Sequence, residues 1–293
     1  MDVVFRVDAS LQMGAGHVMR CLTLADALVA KGAVCQFISC GHEGNLIDLV
    51  RGRGYTTHTF HPRASLPKLP GDLAHACWLG NTQAQDAEYC ASFLAAQRPE
   101  WLIVDHYALD ARWERAMTLH YQKLLAIDDL ADRPHACDLI LDQTFGREAQ
   151  DYRSLVSANC RVLCGSQYVL LRPEFAALRP YSLQRRARPA LRQLLVTMGG
   201  VDKDNATGRV LQALSVCPLP SDCQITVIMG STAPWLEDVR SQAQGMSWPT
   251  QVLAGIRDMA QVMANCDLAI GAAGSTSWER CCLGVPTIML VLA

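Results

Sequence analysis

The stretch Val3-Val4-Phe5-Arg6-Val7-Asp8, then the loop Gly14-Ala15-Gly16-His17, then a run opening at Val18, sets the architecture. Residues 3–7 are apolar almost throughout, the pattern of a strand covered on both faces of a parallel sheet. Val18, Leu22, Ala25 and Val29 recur at helical spacing. The two glycines allow the backbone to approach a ligand closely, and His17 falls at a helix start, where unpaired N–H groups favour anions. A neutral imidazole beside an anion-binding turn is what a base acting on water near a phosphate ester requires. A histidine that only opens the helix fits the same spacing, so the pattern alone leaves both readings open.

The same alternation continues outward. Residues 34–39, 101–105, 124–128 and 139–141 read as further strands, with helical patterns at 46–50, 84–96 and 111–121. Residues 62–71, rich in proline and small side chains, read as a loop. After a weaker stretch the alternation restarts: strands at 191–197, 225–229, 251–254, 268–271 and 287–291, helices at 205–214, 235–244, 259–265 and 278–283. The expected fold class is α/β, with two Rossmann-like parallel-sheet domains facing a cleft. Ligands in such sheets sit beyond the carboxyl ends of the strands. The expected division is an N-terminal domain over 1–145, a connecting region over 146–189 and a C-terminal domain over 190–293. Within the connection, Arg185-Arg186-Ala187-Arg188-Pro189 reads as a solvated linker. The chain stops at Ala293 directly after an apolar strand with no covering helix, so a C-terminal truncation is expected.

Composition narrows the class. The 293 residues are 50% hydrophobic and 18% charged, which permits a sizeable core and argues against disorder. A net charge of -2 gives no electrostatic reason to expect nucleic acid or a membrane surface as partner. The apolar runs fall short of a membrane span and the first residues read as a strand rather than a signal segment, so a cytoplasmic protein is expected. The 13 cysteines are scattered without paired C-x-x-C knuckles and read as reduced, buried small hydrophobes.

Four constellations stand out. The first is Asp8, Gly14, Gly16, His17 and Arg20; His17 and Arg20 are three apart and share a helix face, and Arg20 is placed to hold a phosphate or to pair with Asp8. Neither G-x-G-x-x-G nor a P-loop lysine is present, which argues against a standard dinucleotide or Walker site. The second is Asp105-His106-Tyr107, three polar residues at the ligand end of a strand, matched on the next strand by Asp128-Asp129. With no further ligand cluster, no metal is expected there. The third, Thr197-Met198-Gly199-Gly200, and the fourth, Gly271-Ala272-Ala273-Gly274-Ser275-Thr276-Ser277, both lead from strand to helix and suit oxygen anions held by N–H groups. Together they suggest a diphosphate. Glu279, read as lying in the first helical turn after the fourth loop, either complements the helix dipole or accepts from ribose hydroxyls. All eight histidines lie at or before His135, so any imidazole catalyst comes from the N-terminal half.

Phe5-Arg6-Val7-Asp8-Ala9-Ser10 through Gly14-Ala15-Gly16-His17-Val18-Met19-Arg20-Cys21-Leu22 resembles the N-terminal signature of the PseG family, the UDP-2,4-diacetamido-2,4,6-trideoxy-β-L-altropyranose hydrolases of pseudaminic acid biosynthesis. Asp105-His106-Tyr107, Asp128-Asp129 and Leu171-Arg172-Pro173-Glu174-Phe175 fit that family in order. Gly255-Ile256-Arg257-Asp258-Met259, with Gly274, Glu279, Gly284, Val285 and Pro286, is similar to the wider MurG-like GT-B group. The resemblance implies a GT-B architecture with the nucleotide on the C-terminal domain and the sugar against the N-terminal loop. It implies a nucleotide-sugar hydrolase acting on a small-molecule UDP-sugar without cofactor, with water attacking the anomeric carbon under inversion; a self-contained two-domain enzyme needs no partner, so a monomer is expected. His17 matches the catalytic histidine. Ile256 and Met259 fall in the uracil stretch, Glu279 at the ribose position, and Gly199, Gly200, Ser275 and Thr276 along the diphosphate, with Arg172 as a further substrate contact. A glycosyltransferase of the same fold and a silent nucleotide-sugar binder are the alternatives.

Overall fold

The computed structural model describes residues 1–63, 71–95, 97–256 and 258–291. Most of the expected 62–71 loop, Arg257 of the uracil stretch and the last two residues therefore lie outside the described residues. The chain divides into two compact units, Met1–Leu170 and Leu171–Ala293.

The first unit runs β1 (Asp2–Val7), α1 (Gly16–Val29), β2 (Val34–Cys40), α2 (Ile47–Gly52), β3 (Thr56–Phe60), α3 (Gln83–Leu94), β4 (Trp101–Asp105), α4 (Ala111–Ala116), β5 (Lys123–Ile127), β6 (Leu139–Asp142) and β7 (Arg161–Cys164). Its strands form one parallel sheet in the order β3-β2-β1-β4-β5-β6-β7. Alternation along β1 supplies both faces: Val3, Phe5 and Val7 pack with Val18, Cys21, Leu22 and Ala25 of α1, while Val4 packs on the other face with α3 and α4 side chains such as Leu94 and Trp113. The two strands that periodicity does not reveal, β3 and β7, are the two edges of this sheet. Edge strands are covered on fewer sides, so their sequences need not be continuously apolar, and Thr56-Thr57-His58-Thr59-Phe60 is not.

The second unit runs α5 (Pro173–Arg185), β8 (Gln193–Thr197), α6 (Ala206–Leu214), β9 (Gln224–Met229), α7 (Leu236–Gln244), β10 (Thr250–Ala254), α8 (Met259–Asn265), β11 (Leu268–Ala272), α9 (Ser275–Leu283) and β12 (Thr287–Leu290), with a parallel sheet ordered β10-β9-β8-β11-β12. Residues 146–189, expected to connect domains, divide between the units: β7 joins the first sheet, and α5 packs its Phe175 with α8 and α9 side chains of the second. The basic run is solvated only in part: residues 187–189 are exposed, whereas Arg185 and Arg186 dock on the second unit. Arg186 donates to the carbonyls of Met263, Ala264 and Cys266 at 2.9, 3.2 and 2.6 Å, and Arg185 to Cys266 O at 3.1 Å. Helix carbonyls at a C-terminus lack intrahelical donors and carry partial negative charge, so guanidinium groups dock there. No helix among the described residues is long and apolar enough to cross a membrane.

One polar core element breaks the apolar pattern of β1. Arg6 is fully buried, with Nη1 2.5 Å from Asp8 Oδ1 and Nη2 2.5 Å from Asp86 Oδ2. Asp86 also accepts from Trp113 Nε1 at 2.9 Å, which ties β1, α3 and α4 together. Removing one partner of a buried pair strands the other charge. Asp86→Ala is therefore expected to cost about 3–5 kcal/mol in urea unfolding; a loss under about 1 kcal/mol would show that Arg6 and Asp8 suffice alone.

Candidate active site

In the first sheet the strand order reverses between β1 and β4, and the loops after these strands meet there. Val7 and Asp105 are register partners at the carboxyl ends of the two strands. Gly14 (φ +71°) turns the chain in a conformation that L side chains rarely adopt, and α1 begins two residues later. His17 thus occupies the first turn of α1, and Arg20 projects from the same face. His17 Nδ1 lies 2.7 Å from Asp105 Oδ1, and Arg20 grips the same carboxylate through Nε at 2.6 Å and Nη2 at 2.7 Å. Arg20 Nη1 also donates to Asp129 Oδ2, which accepts the Tyr107 hydroxyl at 2.6 Å. The Tyr107 ring meets His17 edge-on at 4.6 Å.

This geometry sets the protonation pattern. Burial works to raise the Asp105 carboxyl, but the Arg20 guanidinium and the His17 ring outweigh it and hold the group well below the usual carboxylate range. An ionised carboxylate only accepts, so the hydrogen on the 2.7 Å contact sits on Nδ1. In the neutral ring Nε2 then carries the lone pair, and Nε2 has no hydrogen-bond partner among the described residues. Burial and Asp129 push the Tyr107 hydroxyl above its ordinary value, so it remains a donor.

The other residues of these two constellations turn inward. Arg20 pairs with Asp105 and Asp129, not with Asp8. Asp8 is taken by Arg6 and by the Cys40 N–H at 2.7 Å, with His106 Nε2 3.3 Å and His42 Nε2 3.4 Å away, both off-angle for hydrogen bonds. His106 is buried, which lowers its basicity against the opposing pull of Asp8, and its Nδ1 accepts the Ala108 N–H at 3.1 Å. Asp128 faces away from Asp129, holding Arg133 at 2.7 Å and the Tyr152 hydroxyl at 2.8 Å. Among the described residues no group of three or more His, Cys, Asp or Glu is placed to hold a metal ion. A cavity of about 510 Å³ in this unit, lined by residues such as Thr82, Arg112 and Trp113, contains none of the site residues.

In the second sheet the order reverses between β8 and β11, and both glycine turns follow those two strands. They are not equivalent. After Gly199-Gly200, the first N–H groups of α6 are already used: Asp202 accepts from Ala206 and Thr207 at 2.8 Å each, and Asn205 from Gly208 at 3.0 Å. Gly199 and Gly200 themselves are exposed. After Gly274 (φ +135°), α9 begins at Ser275 with no side-chain cap. The helix starts three residues earlier than its apolar pattern suggests, so Ser275 and Thr276 form its first turn. Glu279 accordingly lies beyond that turn and does not cap the dipole. It pairs with Arg172 at 3.3 Å, uniting two candidates from distant sequence, and burial raises its carboxyl against the pull of Arg172. Ile256 and Met259 are half-buried and pack against the α5–α8–α9 core. Asp129 escapes sequence reading as the partner of Arg20 and Tyr107, because nothing local to residues 128–129 announces those contacts.

Residues 193–293 match the glycosyltransferase family 28 C-terminal domain. The chain is 29% identical over 245 residues to the UDP-2,4-diacetamido-2,4,6-trideoxy-beta-L-altropyranose hydrolase of Campylobacter jejuni, covering 83% of this chain and 75% of that protein. It is 32% identical over 156 residues to the spore coat polysaccharide biosynthesis protein SpsG of Bacillus subtilis, covering 52% of this chain and 43% of that one. Among solved structures it is similar to Acinetobacter baumannii MurG, with a TM-score of 0.63, 14% identity and coverage of 99% of this chain and 78% of that one.

Because Asp105 titrates below its unfolded value, the Asp105 cluster contributes stability that is complete above about pH 4 and is lost as pH falls towards the folded value. Asp105→Asn should flatten that acid-side loss in pH-dependent unfolding. It should also weaken the preference of His17 for the Nδ1–H tautomer, read from imidazole 15N shifts; unchanged ring shifts would exclude Asp105 as the orienting group.

Proposed function

Because the chain belongs to the PseG-like family of the GT-B fold, we propose that it hydrolyses UDP-2,4-diacetamido-2,4,6-trideoxy-β-L-altropyranose to UDP and the free sugar. The observation that carries this reading is the His17 ring, held at Nδ1 by Asp105 and without a hydrogen-bond partner at Nε2 among the described residues, at the start of α1. The similarity to the Campylobacter hydrolase supports the substrate.

In this reading Nε2 takes a proton from water as the water oxygen bonds to the anomeric carbon. The bond from that carbon to the β-phosphate oxygen breaks, its electron pair leaves with UDP, and attack opposite the leaving group inverts the centre. Asp105 stabilises the imidazolium that forms, as a buried carboxylate does for a catalytic histidine. Gly14 and Gly16 let the loop approach the sugar, Tyr107 borders the ring of His17, and Arg20, Asp8 and His106 hold the loop in place. On the second unit Ile256 and Met259 take the uracil, Glu279 and Arg172 the ribose side, and Gly199, Gly200, Gly274, Ser275 and Thr276 the diphosphate.

Transfer of the sugar to an acceptor alcohol is the competing reading, favoured by the match of residues 193–293 to a glycosyltransferase domain. Reaction with the UDP-sugar in 18O-labelled water without acceptor separates the two. Hydrolysis at carbon places 18O on the sugar and none on UDP; release of UDP only after an alcohol is added would establish transfer instead. His17→Ala should cut turnover by about 10²-fold or more, with substrate affinity little changed. Full activity of that variant, or UDP binding with no turnover by the wild type, would remove the catalytic role. Glu279→Ala should weaken UDP binding about tenfold while leaving turnover at saturation nearly intact; unchanged UDP affinity would remove its ribose role.

A further inference from the structure

Arg280 is the most unusual charge in the second unit. Its side chain is 2% exposed, and no carboxylate pairs with it among the described residues. Side chains on a helix lean towards its N-terminus, and this one folds back along α9 into the first turn. There Nη1 donates to Thr276 Oγ1 at 3.3 Å, and Nη2 to Ser277 Oγ at 3.1 Å and Ala272 O at 2.8 Å. Nε is buried without a hydrogen-bond partner among the described residues. Room for the fork comes from Gly271, where a Cβ would clash with Nη1 and lie 3.0 Å from the Thr197 carbonyl oxygen.

The buried charge and the unpartnered Nε are unfavourable in the absence of an anion. A guanidinium stays protonated in proteins, so burial cannot neutralise it as it would a lysine. A cation in the first turn of a helix also opposes the helix dipole. α9 has neither an acidic residue in that turn nor a side-chain cap to offset either term. The neighbouring α6 shows the usual solution, since Asp202 fills its N-terminus with a carboxylate from the chain itself. In support, burial lowers the Arg280 guanidinium from its ordinary value.

We propose that Arg280 is a positioning residue that completes a diphosphate site at the N-terminus of α9, holding the Thr276 and Ser277 hydroxyls towards the ligand and supplying the positive charge the diphosphate neutralises. This rests on the reading of the second unit as the nucleotide-binding one and adds the group that makes it selective for the diphosphate over the nucleoside. Arg280 itself does not touch the ligand; it acts through the two hydroxyls and its field.

The test is calorimetric titration of the full chain with UDP, uridine and inorganic pyrophosphate, for the wild type, Arg280→Met, Arg280→Lys and Gly271→Ala. Arg280→Met should weaken UDP and pyrophosphate by about tenfold or more and leave uridine within about twofold. Arg280→Lys, which keeps the charge and loses the fork, should fall between. Gly271→Ala displaces the guanidinium without removing it and should follow Arg280→Met, so the proposal stays testable if the methionine variant does not fold. UDP and uridine weakening in parallel, or neither changing, in folded variants would overturn the proposal. Wild-type binding of pyrophosphate without UDP or uridine would overturn the nucleotide reading and leave the Arg280 site standing. Binding of uridine with no gain from the diphosphate would do the reverse.

Discussion

A single buried carboxylate, Asp105, organises the first unit. It ends the strand beside β1 and accepts from His17 and twice from Arg20 of α1. An isolated carboxylate in that position would escape its desolvation cost by binding a proton. Arg20 prevents this, and only an ionised Asp105 can dictate which nitrogen of His17 carries the hydrogen. Which nitrogen of His17 carries the lone pair therefore depends on an arginine one turn further along α1. Asp129 and Tyr107 extend the arrangement to the next strand by fixing the far side of Arg20.

The two units obey the same topological rule and fill it with opposite chemistry. Each sheet reverses its strand order at one point, and each places its candidate groups on the loops that follow the two strands there. At the first such point the chain gathers carboxylates and an imidazole, which the proposed function uses to move a proton. At the second it gathers hydroxyls and a guanidinium at an uncapped helix start, which the proposal uses to hold an anion. The contrast between α6 and α9 sharpens this. Two glycine turns that look alike in sequence differ because one helix start is filled by Asp202 and the other is not.

The core strands of both sheets are legible from apolar runs, because a strand covered on both faces has little choice of residue. The edges β3 and β7 escaped that pattern for the converse reason, and α5, interrupted by Pro180 and largely polar, offers no clear apolar stripe. Arg185 and Arg186 show the limit of reading charge runs. Their guanidinium groups find helix carbonyls that are far from them in sequence, and nothing local announces that destination.

What sequence alone determined is the repeated strand–loop–helix unit and the residue types at its turns: Gly14 and His17 before α1, Gly274 and Ser275 before α9. Local periodicity and turn chemistry suffice for that, since both act over a few residues. What only the tertiary structure decided is pairing. That Arg20 belongs to Asp105 rather than Asp8, and that Glu279 belongs to Arg172, follow from how strands and helices pack, which brings together groups 85 and 107 residues apart. A charge is committed by its nearest partner in space, and adjacency in space is a property of the packed sheet, not of the chain.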